Sequence, residues 1–306
     1  MNKARRQFLS QLTLLGGAAA LSTPLTSATA VGNYVDEFLP SSKTAGIFHT
    51  NDLHGNLPEL KQIKTAFANE GANGMMLDAG GFINLAKSVS EQNRMIYTMN
   101  AMGYKAAGLS NNELAQGHDK LAELALKMQF AIVNCNHQFE GDLAWVVKPY
   151  ITFKYNNIKV GVTGVSSPLT GVKYSDASQS ANKTAAFLKH EQKCDLVICL
   201  SHLKNDGKEN ANQELAKRSE HIDMIIAGGN GKLYPNALVL HNKVKHEVIL
   251  AQTASKGLMA GNTFINFNKN KQKANVTPKS FIPGDDDMYQ TAFAKLKLNR
   301  AVAKSA

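Results

Sequence analysis

Short apolar runs alternate along the chain with segments in which apolar residues recur every three or four positions. Runs of the first kind are typical of buried strands, and the second spacing places apolar side chains on one face of a helix. The alternation predicts an α/β fold in which helices cover a sheet. The predicted strands are Gly46–Thr50, Met75–Asp78, Ala106–Leu109, Ala131–Asn134, Val160–Val165, Leu196–Ser201, Met224–Ala227 and Val248–Ala251. The predicted helices are Leu57–Asn69, Gln92–Met102, Lys120–Met128, Ala181–His190 and Ala211–Arg218.

Two late segments differ from this pattern. Residues 266–273 alternate lysine with asparagine and are predicted to form a hairpin edge or a solvated loop. They do not indicate nucleic-acid binding, because no aromatic residues are placed to stack on bases. Asp285, Asp286 and Asp287 lack the spaced ligands and final glutamate of a calcium loop, so they predict a polar turn. Residues 285–306 are expected to form a basic C-terminal tail or helix.

The N-terminal segment, residues 1–30, has basic residues at its start, no acidic residue, an apolar run and the small-residue sequence Ala28-Thr29-Ala30. This pattern is typical of a secretory signal peptide. The pair Arg5-Arg6 resembles the twin-arginine class of signals, which are export addresses read by a receptor. The apolar run is shorter than the roughly 20 residues needed to span a membrane, so it predicts no stable membrane anchor. We therefore expect a periplasmic protein exported by the twin-arginine route.

Charge and cysteine content change this picture little. The chain has a formal net charge of +10, and the predicted signal peptide holds three of these positive charges. The moderate basic excess that remains does not require a nucleic-acid partner. Cys135, Cys194 and Cys199 are odd in number and include no closely spaced pair, so we expect buried, unreactive thiols. The apolar content of 43% excludes an intrinsically disordered chain.

Polar or glycine-rich sequences follow five of the predicted strands at the point where each strand ends. They are Asn51-Asp52-Leu53-His54-Gly55, Ala79-Gly80-Gly81, Ser110-Asn111-Asn112-Glu113, His202 and Gly228-Gly229-Asn230-Gly231. The carboxyl ends of strands in an open α/β sheet share one edge, where ligands bind. Asp52 and His54 are two residues apart, a spacing from which a carboxylate and an imidazole can bind one divalent cation. The sequence therefore predicts a ligand site at this edge.

Four strings carry a resemblance to a known family. They are Thr50-Asn51-Asp52-Leu53-His54, Leu77-Asp78-Ala79-Gly80, Leu200-Ser201-His202-Leu203 and Ile222-Asp223-Met224-Ile225-Ile226. Their order and spacing resemble the motifs of the calcineurin-like metallophosphoesterases, and within them the periplasmic 5′-nucleotidase branch. The resemblance implies a four-layer αββα sandwich with two metal ions, which activate a water and neutralise a phosphate ester. It implies one such domain over residues 31–284.

The same resemblance assigns roles to individual residues. Asp52 and His54 correspond to ligands of the first metal, and Asn111 and His202 to ligands of the second. Zinc, manganese or a similar divalent ion is the cofactor that this implies. The family also carries a second, substrate-binding domain, and one hypothesis is that a separately encoded partner chain supplies it.

Five family positions hold different residues in this chain. The carboxylate shared by both metals is Gly81, two further histidine ligands are Asn230 and Lys232, and the catalytic histidine and its orienting aspartate are Asn112 and Ala115. Catalytic zinc normally takes three protein ligands and a water, so these changes predict metal at reduced occupancy or none. Loss of the general acid alone costs about 10²–10⁴-fold in rate.

The resemblance therefore implies a catalytically impaired nucleotidase-like domain that binds a nucleotide or phosphate, or supports a partner. Backbone N–H groups around Asn230, helped by Lys232, are expected to hold the anion. The alternative is an active metal-dependent phosphomonoesterase that hydrolyses nucleotides, including a one-metal enzyme using the four retained ligands.

Overall fold

The computed structural model of the protein describes residues 44–69, 74–204, 210–229 and 237–283. Several predicted features lie outside these residues. They are the signal peptide (1–30), Asn230, Lys232, Asp285, Asp286, Asp287 and the C-terminal tail (285–306).

The described part of the chain alternates strands and helices, as the sequence predicts. The strands are β1 (Thr44–Thr50), β2 (Met75–Asp78), β3 (Tyr104–Ala107), β4 (Ala131–Val133), β5 (His137–Gln138), β6 (Val147–Lys148), β7 (Tyr150–Tyr155), β8 (Ile158–Ser166), β9 (Lys173–Tyr174), β10 (Leu196–His202), β11 (Met224–Ala227), β12 (Leu238–His241), β13 (Glu247–Ala251), β14 (Ala260–Phe267) and β15 (Lys273–Phe281). The helices are α1 (Leu57–Asn69), α2 (Val89–Met102), α3 (His118–Ala125), α4 (Asp142–Val146), α5 (Ala177–His190) and α6 (Ala211–Arg218), and a 3₁₀ helix covers Ser255–Gly257.

Within the described residues, two large sheets and a short β5–β9 pair account for these strands. The first sheet has the order β15-β14-β1-β2-β3-β4-β6, and the second has the order β12-β13-β11-β10-β8-β7. The central strands of each sheet are parallel. Antiparallel strands lie at both edges of the second sheet and on the β14–β15 side of the first, whose other edge strand, β6, is parallel. Parallel strands bring their carboxyl ends to one edge of a sheet, which is where the predicted site residues follow.

Three apolar clusters separate four layers. On β1, Ile47 belongs to the cluster between the two sheets, while its neighbour Phe48 packs with helices α1 and α2. On β10, Ile198 faces the same intersheet cluster, while Val197 packs with α5 and α6. Successive strand residues point to opposite faces, so each central strand contributes to two layers. The predicted αββα sandwich is confirmed.

The covering helices are defined by local sequence. Helix α2 begins with a capping box, in which the Ser88 hydroxyl accepts the Glu91 N–H and the Glu91 carboxylate accepts the Ser88 N–H. It ends at Gly103, whose φ of 78° is left-handed. In α1 the apolar side chains of Leu60 and Ile63 are buried, in agreement with the predicted periodicity.

The structure corrects some boundaries. Helix α3 is His118–Ala125 instead of Lys120–Met128, and β3 starts earlier than predicted, at Tyr104. Residues 266–273 are the end of β14 and the turn into β15, so the predicted hairpin edge is confirmed. Strands β7 and β12 were not predicted; their side chains are only partly buried, which weakens their apolar pattern.

Two further expectations concern chemistry and membranes. All three cysteines are unpaired, and burial raises the pKa of each thiol. Within the described ranges, no helix is long and apolar enough to cross a membrane.

Candidate functional site

The loops after β1 and β2 continue side by side beyond the ends of the strands. The Asp52 N–H donates to the Gly80 carbonyl at 2.9 Å, and the His54 N–H donates to the Gly81 carbonyl at 2.7 Å. Asp52 and His54 both have left-handed backbones, with φ values of 51° and 49°. Left-handed φ is uncommon for residues other than glycine, and such residues concentrate at functional sites. These hydrogen bonds hold both side chains at the carboxyl edge of the first sheet.

The Asp52 carboxylate connects the two sheets. Its Oδ1 lies 3.0 Å from Nε2 of His202, the last residue of β10. Its Oδ2 accepts the Gly229 N–H at 2.9 Å and the Asn51 side-chain amide at 3.0 Å. Asp52 and His202 are each 5% exposed. Both carboxylate oxygens are therefore occupied by groups of the protein itself.

These contacts set the charge state of Asp52. Burial alone would raise the pKa of this carboxyl, but the hydrogen bond and charge of His202, with the Gly229 and Asn51 donors, outweigh burial. The pKa of Asp52 is consequently lower than its ordinary value. At neutral pH the pair therefore holds an ionised carboxylate.

His54 lies at the outer side of this pair. Its Nδ1 is 3.0 Å from the side-chain nitrogen of Asn112, which can only donate, so Nδ1 accepts and the neutral ring carries its proton on Nε2. This Nε2 is 3.9 Å from Asp52 Oδ1, beyond hydrogen-bond distance. His54 and Asn112 are both partly exposed. Among the described residues, the Nε2–H of His54 thus has no acceptor within hydrogen-bond distance.

Gly81 faces the pair directly. Its backbone is left-handed, with a φ of 73°, and a Cβ built on it would lie 3.0 Å from Asp52 Oδ1 and 3.3 Å from His202 Nε2. The structure therefore brings together Asp52, His54, Asn112, His202 and position 81.

Asn111 is engaged elsewhere. Its Oδ1 accepts the backbone N–H of Thr170 at 2.8 Å and the Thr170 hydroxyl at 3.1 Å, and its amide nitrogen donates to the Pro168 carbonyl at 3.0 Å. Among the described residues, no hydrogen bond joins the Asn111 side chain to His202, because the loop after β8 takes up the hydrogen bonds of Asn111. Ala115 is exposed and offers no polar side-chain group.

Two buried carboxylates beneath the loops were not predicted as site residues. Glu113 accepts the Ser110 hydroxyl at 2.6 Å and the Ser110 N–H at 2.9 Å, and burial raises its pKa. Asp78 accepts the Thr50 hydroxyl at 2.6 Å, and burial raises its pKa well above the ordinary value. Both positions were visible in the sequence as acidic residues at strand ends.

A third unpredicted contact joins Asn51 to the loop after β13. Asn51 Oδ1 accepts the Thr253 N–H at 2.9 Å and its hydroxyl at 2.7 Å, while the Asn51 amide donates to the Thr253 carbonyl at 3.2 Å. Asn51 therefore orients Asp52 from a fixed position. The end of strand β13 was the signal that could have indicated this loop.

The chain is similar in sequence and in fold to several phosphoesterases. The chain is 25% identical over 301 residues to the trifunctional nucleotide phosphoesterase YfkN of Bacillus subtilis, covering 83% of this chain and 20% of that protein. The 5′-nucleotidase precursor of Thermus thermophilus superposes with a TM-score of 0.68 at 20% identity, covering 85% of this chain and 59% of the other. The calcineurin-like phosphoesterase YfkN of B. subtilis gives a TM-score of 0.64 at 22% identity, with 84% and 97% covered.

The chain has the calcineurin-like metallophosphoesterase fold. Its relatives and structural neighbours belong to the 5′-nucleotidase and calcineurin-like phosphoesterase family. No protein-family model matches the chain. It spans between 20% and 39% of the length of the first curated relatives it matches.

The metallophosphoesterase fold implies metal ions at the strand ends, and the described residues do not fit a two-ion centre. Gly81 supplies no donor, both oxygens of Asp52 are hydrogen-bonded, and the oxygen of Asn111 is bonded to Thr170. Within the described ranges, no group of three or more histidine, cysteine, aspartate or glutamate side chains is arranged to hold a metal ion.

Proposed function

We propose that this chain is an exported, nucleotidase-like phosphoesterase domain that has lost efficient two-metal hydrolysis and binds a phosphorylated ligand. The observation that carries the proposal is the 3.0 Å hydrogen bond between Asp52 and His202, opposite Gly81. Residues that the family resemblance assigns to different metals instead bond to each other. The position assigned to the carboxylate shared by the metals has no side chain.

The remaining donors support anion binding without metal. The Nε2–H of His54 and the second amide N–H of Asn112 are not used in the hydrogen bond between these two residues. The negative charge of Asp52 is covered, because that residue is 5% exposed and has donors on both oxygens. The Gly229 N–H already donates to Asp52 and is therefore not the donor for an anion. Any backbone N–H group that this loop contributes to anion binding would belong to residues after Gly229.

Loss of hydrolysis follows from residue chemistry. An asparagine amide does not titrate, so Asn112 cannot protonate a leaving group as a general acid does. Ala115, at the position of the orienting aspartate, has no carboxylate. The absence of a general acid lowers the rate by about 10²–10⁴-fold, in addition to any loss of metal.

Export and a partner chain complete the proposal. We propose that the N-terminal signal directs the protein to the periplasm by the twin-arginine route. We also propose a separately encoded substrate-binding domain as its partner, in line with the second domain that the family resemblance implies; the curated relatives extend beyond the span they share with this chain. Purification from the periplasm should recover such a chain, and consistent recovery of the protein alone would contradict the partner.

The central test measures binding and turnover separately. Purified protein would be titrated with AMP in EDTA by calorimetry, and phosphate release from a nucleotide panel would be followed with and without Mn²⁺ or Zn²⁺. We expect binding in EDTA and no metal-dependent turnover above background. Typical enzymes turn over at about 1–10³ per second. Metal-dependent turnover in that range would reject the proposal.

The second candidate is an active metal-dependent phosphomonoesterase. It is favoured by one observation: Nε2 of His202 and Nε2 of His54 both face Asp52 Oδ1, at 3.0 and 3.9 Å. Under this alternative, Asp52→Ala and His202→Ala should each abolish phosphate release. Phosphate release that His202→Ala leaves unchanged would reject it.

A further inference from the structure

A lysine in the loop after β13 has an unusual backbone. Within the described ranges, eight residues other than glycine have positive φ. They are Asp52, His54, Asn156, Asn157, Lys193, Lys245, Lys256 and Lys271. Five of these lie in tight connections between consecutive elements, where left-handed residues are common. The other three are Asp52, His54 and Lys256.

The N–H and the carbonyl of Lys256 both form hydrogen bonds with the loop that carries His54. Its N–H donates to the Asp52 carbonyl at 2.7 Å, and its carbonyl accepts the Asn56 side-chain amide at 2.8 Å. Asp52 and Asn56 lie on either side of His54 in the sequence. Lys256 is therefore fixed beside the turn that carries His54.

The Lys256 side chain has no structural task among the described residues. It is exposed, and its ammonium makes no hydrogen bond or ion pair within the described ranges. Lys87 provides a contrast, because its Nζ donates to the Gly55 carbonyl at 2.8 Å and so anchors the same turn. Glycine would adopt the φ of 61° at Lys256 without steric cost, so neither packing nor backbone geometry accounts for a lysine here.

We infer that Lys256 contacts the phosphate group of the ligand, together with the Nε2–H of His54 and the Asn112 amide. This inference rests on the proposed function and adds to it the residue that supplies positive charge. A phosphate monoester carries close to two negative charges at neutral pH and is held by cationic and N–H donors. A lysine has a flexible four-carbon stem, which allows its ammonium to reach an anion bound next to its backbone.

The experiment compares two lysines of matched backbone. Lys256→Met and Lys245→Met both remove an exposed ammonium from a left-handed residue, with φ values of 61° and 64°. Lys245 serves as the control, because it lies in the turn between β12 and β13. AMP and inorganic phosphate would be titrated in EDTA at low and high salt, with adenosine as a ligand without phosphate. We expect Lys256→Met to bind both phosphate ligands about tenfold more weakly, as one charge-assisted contact predicts.

Further variants separate contact from folding. Lys256→Arg should retain most of the affinity because it keeps the charge. Lys256→Gly should melt at the same or a higher temperature while binding AMP as weakly as Lys256→Met, because glycine relieves the backbone. Adenosine binding and the affinity of Lys245→Met should be unchanged.

The outcomes distinguish the two proposals. Unchanged AMP affinity in Lys256→Met, or an equal loss in Lys245→Met, would overturn the role of Lys256 and leave the proposed function standing. If wild-type protein binds neither AMP nor phosphate in EDTA, the proposed function fails, and the role of Lys256 fails with it.

Discussion

Two polar clusters at strand ends illustrate how similar residues serve different purposes. The strand-end cluster contains Asp52, His54 and His202. The asparagine cluster, which contains Asn134, Asn136, His137 and Ser166, lies where β4 and β8 end. In the asparagine cluster, Nδ1 of His137 is 3.1 Å from the side-chain oxygens of both asparagines.

Every donor of His137 is matched by an acceptor. Its Nε2 accepts the Leu169 N–H at 3.2 Å, and Asn136 bonds to the Ser166 N–H and carbonyl at 3.0 and 2.9 Å. This arrangement suits a neutral imidazole, and burial lowers the pKa of His137 to about 4. The strand-end cluster instead holds an ionised carboxylate, and among the described residues the Nε2–H of His54 has no acceptor within hydrogen-bond distance. This donor without an acceptor is what makes the strand-end cluster, and not the asparagine cluster, the candidate ligand site.

The largest loss of stability is expected when the pH is lowered. Burial lowers the pKa of His137 and of the intersheet residue His49 to about 4, from 6.5. Between pH 6.5 and 4 the unfolded chain binds more protons than the folded one. The stability that depends on these neutral histidines is therefore fully present above pH 6.5 and is lost as the pH drops toward 4. A shift of this size corresponds to about 3 kcal/mol for each histidine. Urea unfolding at a series of pH values would measure this loss.

A variant of His137 separates the share of this loss that comes from the asparagine cluster. His137→Gln should take up about one proton fewer than wild type on unfolding near pH 5. The pKa of Asp52 is lowered, so its contribution is present above its unfolded pKa and is lost only at more acidic pH, below about 4. Equal proton uptake by His137→Gln and wild type would contradict a neutral His137.

A smaller loss of stability is expected when the His202 side chain is removed. His202→Ala deprives a buried carboxylate of its charge-assisted partner, which should lower the free energy of unfolding by about 2–3 kcal/mol at neutral pH. His54→Ala serves as the control, because the His54 side chain is partly exposed and, among the described residues, hydrogen-bonded only to Asn112; we expect a loss of less than about 1 kcal/mol. Chemical denaturation would measure both. Equal losses would mean that the Asp52–His202 bond contributes little.

The smallest expected loss of stability comes from adding a methyl group at position 81. Gly81→Ala forces a side chain into a left-handed backbone and close to Asp52, which should cost about 1–2 kcal/mol. Gly81→Asp should cost more, because it adds a second carboxylate beside the ionised Asp52. Thermal and urea unfolding would compare the two variants in EDTA. If Gly81→Asp were as stable as wild type, the pocket beside Asp52 would already accommodate a second carboxylate.

Periodicity predicted the central elements well, because these segments are buried on regular faces. Strands β2 and β11 and helices α1 and α6 begin and end where the pattern predicts. Strands β14 and β15 were missed because polar residues such as Asn262 interrupt their apolar pattern, although Asn262 is buried. Local patterns therefore fail where burial comes from distant partners.

The contacts of the site were likewise predicted only in part. The shared edge of parallel strands correctly predicted that Asp52 and His202 would meet. Chain order could not predict that Asn111 bonds to Thr170, because this contact depends on how a loop 59 residues away is placed. The bond between Asn51 and Thr253 spans 202 residues and was equally invisible to local patterns.

The Asp52 carboxylate has a consequence for folding. Its bonds reach His202 and Gly229, which are 150 and 177 residues further along the chain. Closing such long loops costs entropy before any contact is gained, and the first sheet itself needs a longer closure, because β1 pairs with β14 from Thr44 to Asn266. The candidate site therefore cannot form within any one segment of the chain and depends on the same long-range assembly as the first sheet.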